Sequence, residues 1–194
     1  MQLGNSSVRW GVVSKTFHWV IVVLIIVQYT LAQVAEDLPL GLQKFTTLAR
    51  HKSIGLTIFG LAILRLLWRW ANATPELPDT LKPWEKGIAK TTHFALYLLL
   101  FAMPVTGWLM SSAANFPVSW FGFFTLPDLV APDRGLQETL HDVHETLFRI
   151  LVALAVLHVA AALKHHFWLK DDVLSRMVPF MRVSGDDSPR GADR

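Results

Sequence analysis

The chain has 194 residues, 52% of them hydrophobic, with eight tryptophans and a mean hydropathy of +0.37. That length suits one domain, and the apolar excess points to a membrane protein rather than a water-soluble core. The net charge of +3 comes from basic residues that flank apolar runs, which fits a membrane surface and gives no reason to invoke nucleic acid. Cysteine is absent, which excludes disulfides, iron–sulfur clusters, thiolate-ligated haem and covalent c-type haem attachment.

Phe17 to Val34 is a nearly unbroken apolar run, long enough to cross a hydrocarbon layer of roughly 30 Å. His18 and the interfacial aromatic Trp19 stand at its start. No small-residue cleavage site follows the run, so it reads as a retained span and not as a signal peptide. A polar turn with Glu36, Asp37, Pro39 and Gly41 leads to a second span from about His51 to Trp70. Arg65, Trp68, Arg69 and Trp70 mark its far end. Asn72 to Lys90 holds Pro75, Pro78 and Pro83 and reads as a turn-rich linker. The third span runs from about His93 to Ser111, with a kink expected at Pro104 and Gly107.

Ala113 to Gln137 is rich in Phe and Trp (FPVSWFGFF) and then acidic. Broken by Pro117, Pro127 and Pro132, it reads as an interfacial cap and not a span. The fourth span runs from about His144 to Trp168. The expected organisation is therefore one membrane domain over residues 1–180, with spans near 17–34, 51–70, 93–111 and 144–168. Residues 181–194 form a disordered tail.

Lys and Arg set the orientation. Placing the N-terminus, the second loop and the C-terminal tail on one side collects most of the basic residues there, among them Arg9, Lys15, Arg69, Lys82, Lys86 and Arg176. The other side keeps Lys44, Arg50, Lys52 and Arg134. Both termini are therefore expected on the cytoplasmic side.

The fourth span carries the chemistry. His144 and His158 are fourteen residues apart, which returns a helix to nearly the same face with a rise of roughly 21 Å. Neutral imidazole is a ready axial ligand for haem iron, and an ionisable group within a span marks function by default. Depth in the membrane pairs His18 with His158 near the cytoplasmic face and His51 with His144 near the outer face. Two bis-histidine haem sites follow. Arg65, fourteen residues after His51, lies at the depth of the cytoplasmic pair, where a guanidinium can neutralise a propionate. Gly55, one turn after His51, leaves room for a porphyrin.

Other residues remain open between alternatives. His93 is placed at the start of the third helix, as either an interfacial residue or a contact for a propionate or quinone. His141 is off the ligand face, as either a surface residue or part of an outer substrate site, and His165 and His166 read as interface residues. Arg149 either snorkels or meets a propionate.

The segments FHWVIVVLIIVQY, ARHKSIGLTIFGLAILRLLWR, THFALYLLLFAMPVTGWLM and HETLFRILVALAVLHVAAALKHHFWLKDDVLSRMVP resemble the bacterial cytochrome b561 family, over about residues 8–180. The resemblance implies an all-α four-helix transmembrane bundle enclosing two non-covalent b-type haems. It implies His18, His51, His144 and His158 as their ligands. It further implies exchange of single electrons with the quinone pool. One branch of the family oxidises periplasmic superoxide to oxygen and reduces ubiquinone, which would make this chain an oxidoreductase. Other members are non-catalytic subunits passing electrons between a redox partner and quinone. Lys44, Arg50, Lys52 and Arg134 are candidates for steering superoxide, opposed by Asp128, Asp133, Glu138 and Asp142. Membrane lipid, quinone, and superoxide or a periplasmic redox protein are the expected partners, and nucleic acid is not.

Overall fold

The computed structural model describes residues 2–78, 81–179 and 181. The tail expected to be disordered lies outside these residues, save for Met181. Four long helices dominate: α1 (Val12–Asp37), α2 (Leu42–Ala71), α3 (Pro83–Ala113) and α4 (Arg134–Lys164). All four are long and apolar enough to cross a membrane, and little of each apolar stretch is buried inside the protein, which leaves it for lipid.

The helices overrun the apolar spans at their starts. α2 begins at Leu42 rather than His51, α3 at Pro83 rather than His93, and α4 at Arg134 rather than His144. Hydropathy marks the part of a helix that lies in hydrocarbon, whereas capping decides where the helix starts. Pro83 occupies the first turn of α3, where its missing N–H costs nothing, and Glu85 accepts from the Lys82 N–H at 3.0 Å. Asp133 caps α4 by accepting from the Leu136 N–H at 2.9 Å. The linker read as turn-rich from Asn72 to Lys90 is therefore helical from Pro83 onward. α3 continues through Pro104 as one helix.

The packing is uneven. α1 lies along α2, α3 along α4, and α2 touches α3, while α4 makes no close backbone approach to α1 or α2 among the described residues. The apolar core sits where α1, α2 and α3 meet: Ile21, Ile58, Ala62 and Leu100, with Leu24, Ile54 and Phe101 packed around them. Leu151 is the one buried residue of α4. The helix that carries His144 and His158 thus stands off from α1 and α2, facing them through side chains.

The ends of the bundle are closed differently. At one end, Asn5 Nδ2 donates to the Ala73 carbonyl at 2.9 Å and the Glu76 N–H to the Ser7 carbonyl at 3.0 Å. Arg176 Nη1 donates to the Glu76 carbonyl at 2.8 Å, and Trp19 Nε1 to the Met177 carbonyl at 3.1 Å. The N-terminal segment, the α2–α3 linker and the C-terminal segment therefore gather at one end, the termini end. Gly11 is required there, because a Cβ would lie 2.3 Å from the backbone oxygens of Leu3 and Gly4.

At the opposite end, the aromatic connection read as an interfacial cap forms a small β-hairpin, β1 (Ser119–Trp120) against β2 (Phe124–Thr125). Phe121 and Gly122 turn its tip with φ of 48° and 81°. Gly122 takes that geometry without strain, whereas Phe121 does not. Ser53 of α2 holds the hairpin. Its hydroxyl lies 3.0 Å from the Ser119 carbonyl and accepts from the Phe121 N–H at 3.0 Å. Trp120 Nε1 donates to Thr57 Oγ1 at 3.1 Å. Lys52 Nζ donates to the carbonyls of Phe116 and Pro117 at 3.1 and 3.0 Å.

Candidate functional site

Two groups of histidines face each other across the space between α4 and the α1–α2 pair, one at each level of α4. At the hairpin end, His51 of α2 lies within electrostatic reach of His144 of α4. His51 Nδ1 is 3.2 Å from the Gln28 carbonyl of α1. A carbonyl only accepts, so Nδ1 carries the hydrogen and Nε2 keeps its lone pair. His144 Nδ1 is 3.0 Å from Thr106 Oγ1, whose own hydrogen is directed at the Ala102 or Met103 carbonyl, 2.9 and 3.0 Å away. The threonine oxygen therefore accepts from His144, and again Nε2 is left bare. Both rings have the tautomer that ligates a metal through Nε2 while the second nitrogen is held by the protein.

Small residues make space at this level. A Cβ on Gly107 would stand 3.3 Å from His144 Cε1, and one on Gly55 would stand 3.1 Å from Gln28 Nε2. Gln28 Oε1 is buried without a hydrogen-bond partner among the described residues. Two imidazoles with bare Nε2 atoms, on helices α2 and α4 that make no close backbone approach, are a donor set that fits haem iron.

At the termini end, His18 of α1 and His158 of α4 have ring centroids 6.4 Å apart with planes at 69°. Two imidazoles on one metal ion, with metal–nitrogen bonds of about 2.0 Å, have centroids roughly 6 Å apart, so the spacing fits a shared iron. His93 also belongs to this group, with its ring centroid 5.2 Å from that of His158. It lies ten residues inside α3, not at the helix start where the apolar span alone placed it. Among the described residues no three His, Asp or Glu side chains converge on a single ion position, so the three histidines do not form a metal tripod.

Arg65 is placed at this level, as its spacing from His51 predicts, and its Nη1 lies 3.1 Å from His18 Nδ1. A guanidinium only donates, so His18 Nδ1 accepts and its ring hydrogen is on Nε2. His158 has no side-chain hydrogen bond among the described residues.

The remaining candidates disperse. His165 Nδ1 pairs with Asp171 Oδ2 at 2.5 Å, just beyond α4 in a π-helical turn (His165–Leu169). His166 stacks edge-on against Phe167, and His141 is exposed on α4. Arg149 is exposed and ion-paired with Glu145 on its own helix, so it does not reach the histidine levels. Three of the four cations at the hairpin end already have partners: Lys44 Nζ on the Leu38 carbonyl, Lys52 on Phe116 and Pro117, and Arg134 on Glu138. Arg50 is exposed, with no such partner among the described residues.

A bundle of four membrane-crossing helices whose interior presents facing histidines at two levels defines a membrane electron-transfer protein of the haem-binding kind. The chain matches the model of the prokaryotic cytochrome b561 family over residues 9–180. It is 35% identical over 181 residues to cytochrome b561 homolog 2 of Escherichia coli strain K12, spanning 92% of this chain and 95% of that one. It is 30% identical over 166 residues to the probable superoxide oxidase CybB of Yersinia pestis, spanning 85% of this chain and 93% of that protein. It is also 26% identical over 170 residues to cytochrome b561 homolog 1 of E. coli strain K12, with 86% and 96% covered. The chain belongs to the prokaryotic cytochrome b561 family, membrane electron carriers that work with b-type haem.

Proposed function

We propose that residues 1–180 form one membrane domain holding two b-type haems, ligated by His51 and His144 at the hairpin end and by His18 and His158 at the termini end. Arg65 sits beside the second of these. The observation that carries the reading is the pair of bare Nε2 atoms on His51 and His144, set by the Gln28 carbonyl and the Thr106 hydroxyl. When bound, haem closed by two imidazoles supplies one-electron redox chemistry with no open coordination position.

The chain's own contribution is to orient the four imidazoles, exclude water with apolar helix faces, and admit electron donors only at the cofactor edge. That restriction favours small one-electron donors at one membrane surface and a quinone as acceptor. We further propose that the donor is superoxide, two of which give two oxygen molecules and two electrons, and that the acceptor is ubiquinone, which takes two electrons and two protons. This would make the protein a superoxide:ubiquinone oxidoreductase, in keeping with the Y. pestis relative, a probable superoxide oxidase. The hairpin end then faces the periplasm, with both termini in the cytoplasm of the inner membrane. Arg50 is the exposed cation left to attract superoxide, and Arg50→Glu is expected to slow the superoxide reaction and flatten its salt dependence. Reporter fusions at each terminus test the orientation.

A second reading has an observation of its own. Phe121, Phe123 and Phe124 at the hairpin tip are exposed around Trp120, which suits docking of a redox partner. In that case the chain is a non-catalytic electron-transfer subunit. A reduced-minus-oxidised spectrum with haem counted per chain, followed by a superoxide pulse with a soluble ubiquinone analogue, separates the readings. Two haems reduced by superoxide support the oxidase. Two haems left oxidised by superoxide support the partnered subunit, and a chain that binds no haem ends both.

A further inference from the structure

Around Arg65 the termini end collects hydrogen-bond donors and positive charge; His18 Nδ1 and Tyr97 meet Arg65, but no carboxylate among the described residues balances the charge. Arg65 and Arg69 lie one helical turn apart on α2, their guanidinium carbons 5.5 and 5.9 Å from the centroid of the same Tyr97 ring. Arg69 also lies 6.0 Å from the Trp10 ring. Neither arginine has a carboxylate partner among the described residues, and the indole N–H of Trp68, between them in the chain, is buried without an acceptor. Like charges at this spacing repel one another, and partial burial removes the water that would screen them. The hairpin end has no such pair. Its nearest cation, Lys52, is turned onto the Phe116 and Pro117 carbonyls and the Phe116 ring, within reach of Asp128.

An anion with two acidic groups completes this arrangement, and a b-type haem carries two propionates. We propose that Arg69 is the second propionate-binding residue beside Arg65, with Tyr97 as the spacer between the guanidiniums. We propose also that this cation pair makes the termini-end haem the higher in reduction potential. The inference rests on the two-haem reading above. Ferric haem carries one more positive charge than ferrous, so fixed positive charge nearby disfavours the oxidised form. At the hairpin end Lys52 is partly balanced by Asp128. With haem held at both levels, a single electron would move from the His51–His144 site, left oxidised, to the His18–His158 site, left reduced, with no proton moved. The direction of flow is built into the placement of two arginines.

The test is a potentiometric titration of the full-length protein in detergent, with haem counted per chain. The wild type is expected to show two haems with separated midpoints. Arg69→Gln is expected to lower the upper midpoint by about tenfold in the one-electron equilibrium, about 59 mV, and leave the lower one in place. Arg65→Gln is expected to move the same midpoint, whereas Thr106→Val, beside His144, moves only the other. Two wild-type haems at one potential, an unmoved upper midpoint in Arg69→Gln, or an equal shift of both, would overturn the proposal. One haem per wild-type chain would instead overturn the two-haem reading. Should Arg69→Gln bind less haem, Arg69→Lys, which keeps the charge, is expected to restore two haems with the upper midpoint nearer the wild type. Loss of haem in that variant too makes Arg69 a folding residue and sinks the assignment.

Discussion

At the hairpin end, His51 and His144 direct Nδ1–H to a main-chain carbonyl and a threonine hydroxyl, groups that belong to the scaffold and have nowhere else to go. At the termini end, His18 accepts from Arg65, and His158 has no side-chain hydrogen bond among the described residues and packs against the rings of His18 and His93. The first pair is oriented by neutral backbone and hydroxyl partners. The second is oriented by a cation, Arg65, which also lies over the Tyr97 ring. Pre-organisation in one bundle thus comes in two forms, one fixed by the fold and one set by charge. Ligation at the termini end requires the His18 ring hydrogen to leave Nε2, which means a change in what Arg65 touches. The hairpin end requires no such change.

The largest expected effect breaks the two levels apart. His144→Ala and His158→Ala are each expected to cut haem from two per chain to one, leaving spectra that differ between the variants. Haem extraction and a reduced spectrum check this, and loss of both haems in either variant would show that the levels are not independent. Next comes Thr106→Val, which removes the hydroxyl beside His144 Nδ1 and leaves only the Met103 carbonyl to support that ring. Removal of such a supporting partner typically costs about 10–100-fold in affinity, so haem competition assays should show weaker retention at the hairpin end alone. Equal retention would mean that the tautomer of His144 is set elsewhere.

A smaller effect is expected for Ser53→Ala. It removes the hydroxyl that links α2 to the hairpin and exposes the Phe121 N–H to a lost acceptor, costing about 1–3 kcal/mol. A lowered Tm in detergent, with the termini-end spectrum unchanged, is the expected result. The smallest is Gly55→Ala. The new methyl would press on Gln28 Nε2 at 3.1 Å, while helix propensity gains about 0.5–1 kcal/mol. The two nearly cancel, so stability is expected to hold while the hairpin-end haem spectrum shifts slightly.

Much of this architecture is visible before any coordinates. Four apolar runs of bilayer length, and two histidines fourteen residues apart on one of them, are enough to expect a four-helix membrane bundle with histidines at two depths. The spacing works because a helix is a rigid periodic object. What depends on how one helix is rotated against another was less legible. His93 was assigned to the helix start because the apolar run starts there, yet α3 extends a further ten residues and turns that ring onto His158. A signal for this existed: His93, Tyr97, Leu100, Pro104, Gly107 and Ser111 recur at steps of four and three, the stripe of a helix face turned inward. The hydrogen bond from His144 to Thr106 had no such signal, because any of several hydroxyls on α3 satisfies the same pattern. The engagement of Lys44, Lys52 and Arg134 was equally hidden, since charge in a sequence does not reveal whether a carbonyl has already claimed it.

Because His144 and His158 share one uninterrupted helix, α4 acts as a ruler, and its divisions have an evolutionary consequence. One residue inserted between them would turn the second imidazole by about 100° and displace it by about 1.5 Å, aiming it at a different neighbour. A seven-residue deletion would restore the direction but shorten the separation by about half. Length change is therefore forbidden within that interval. Descendants of this chain should differ in their loops and keep this count.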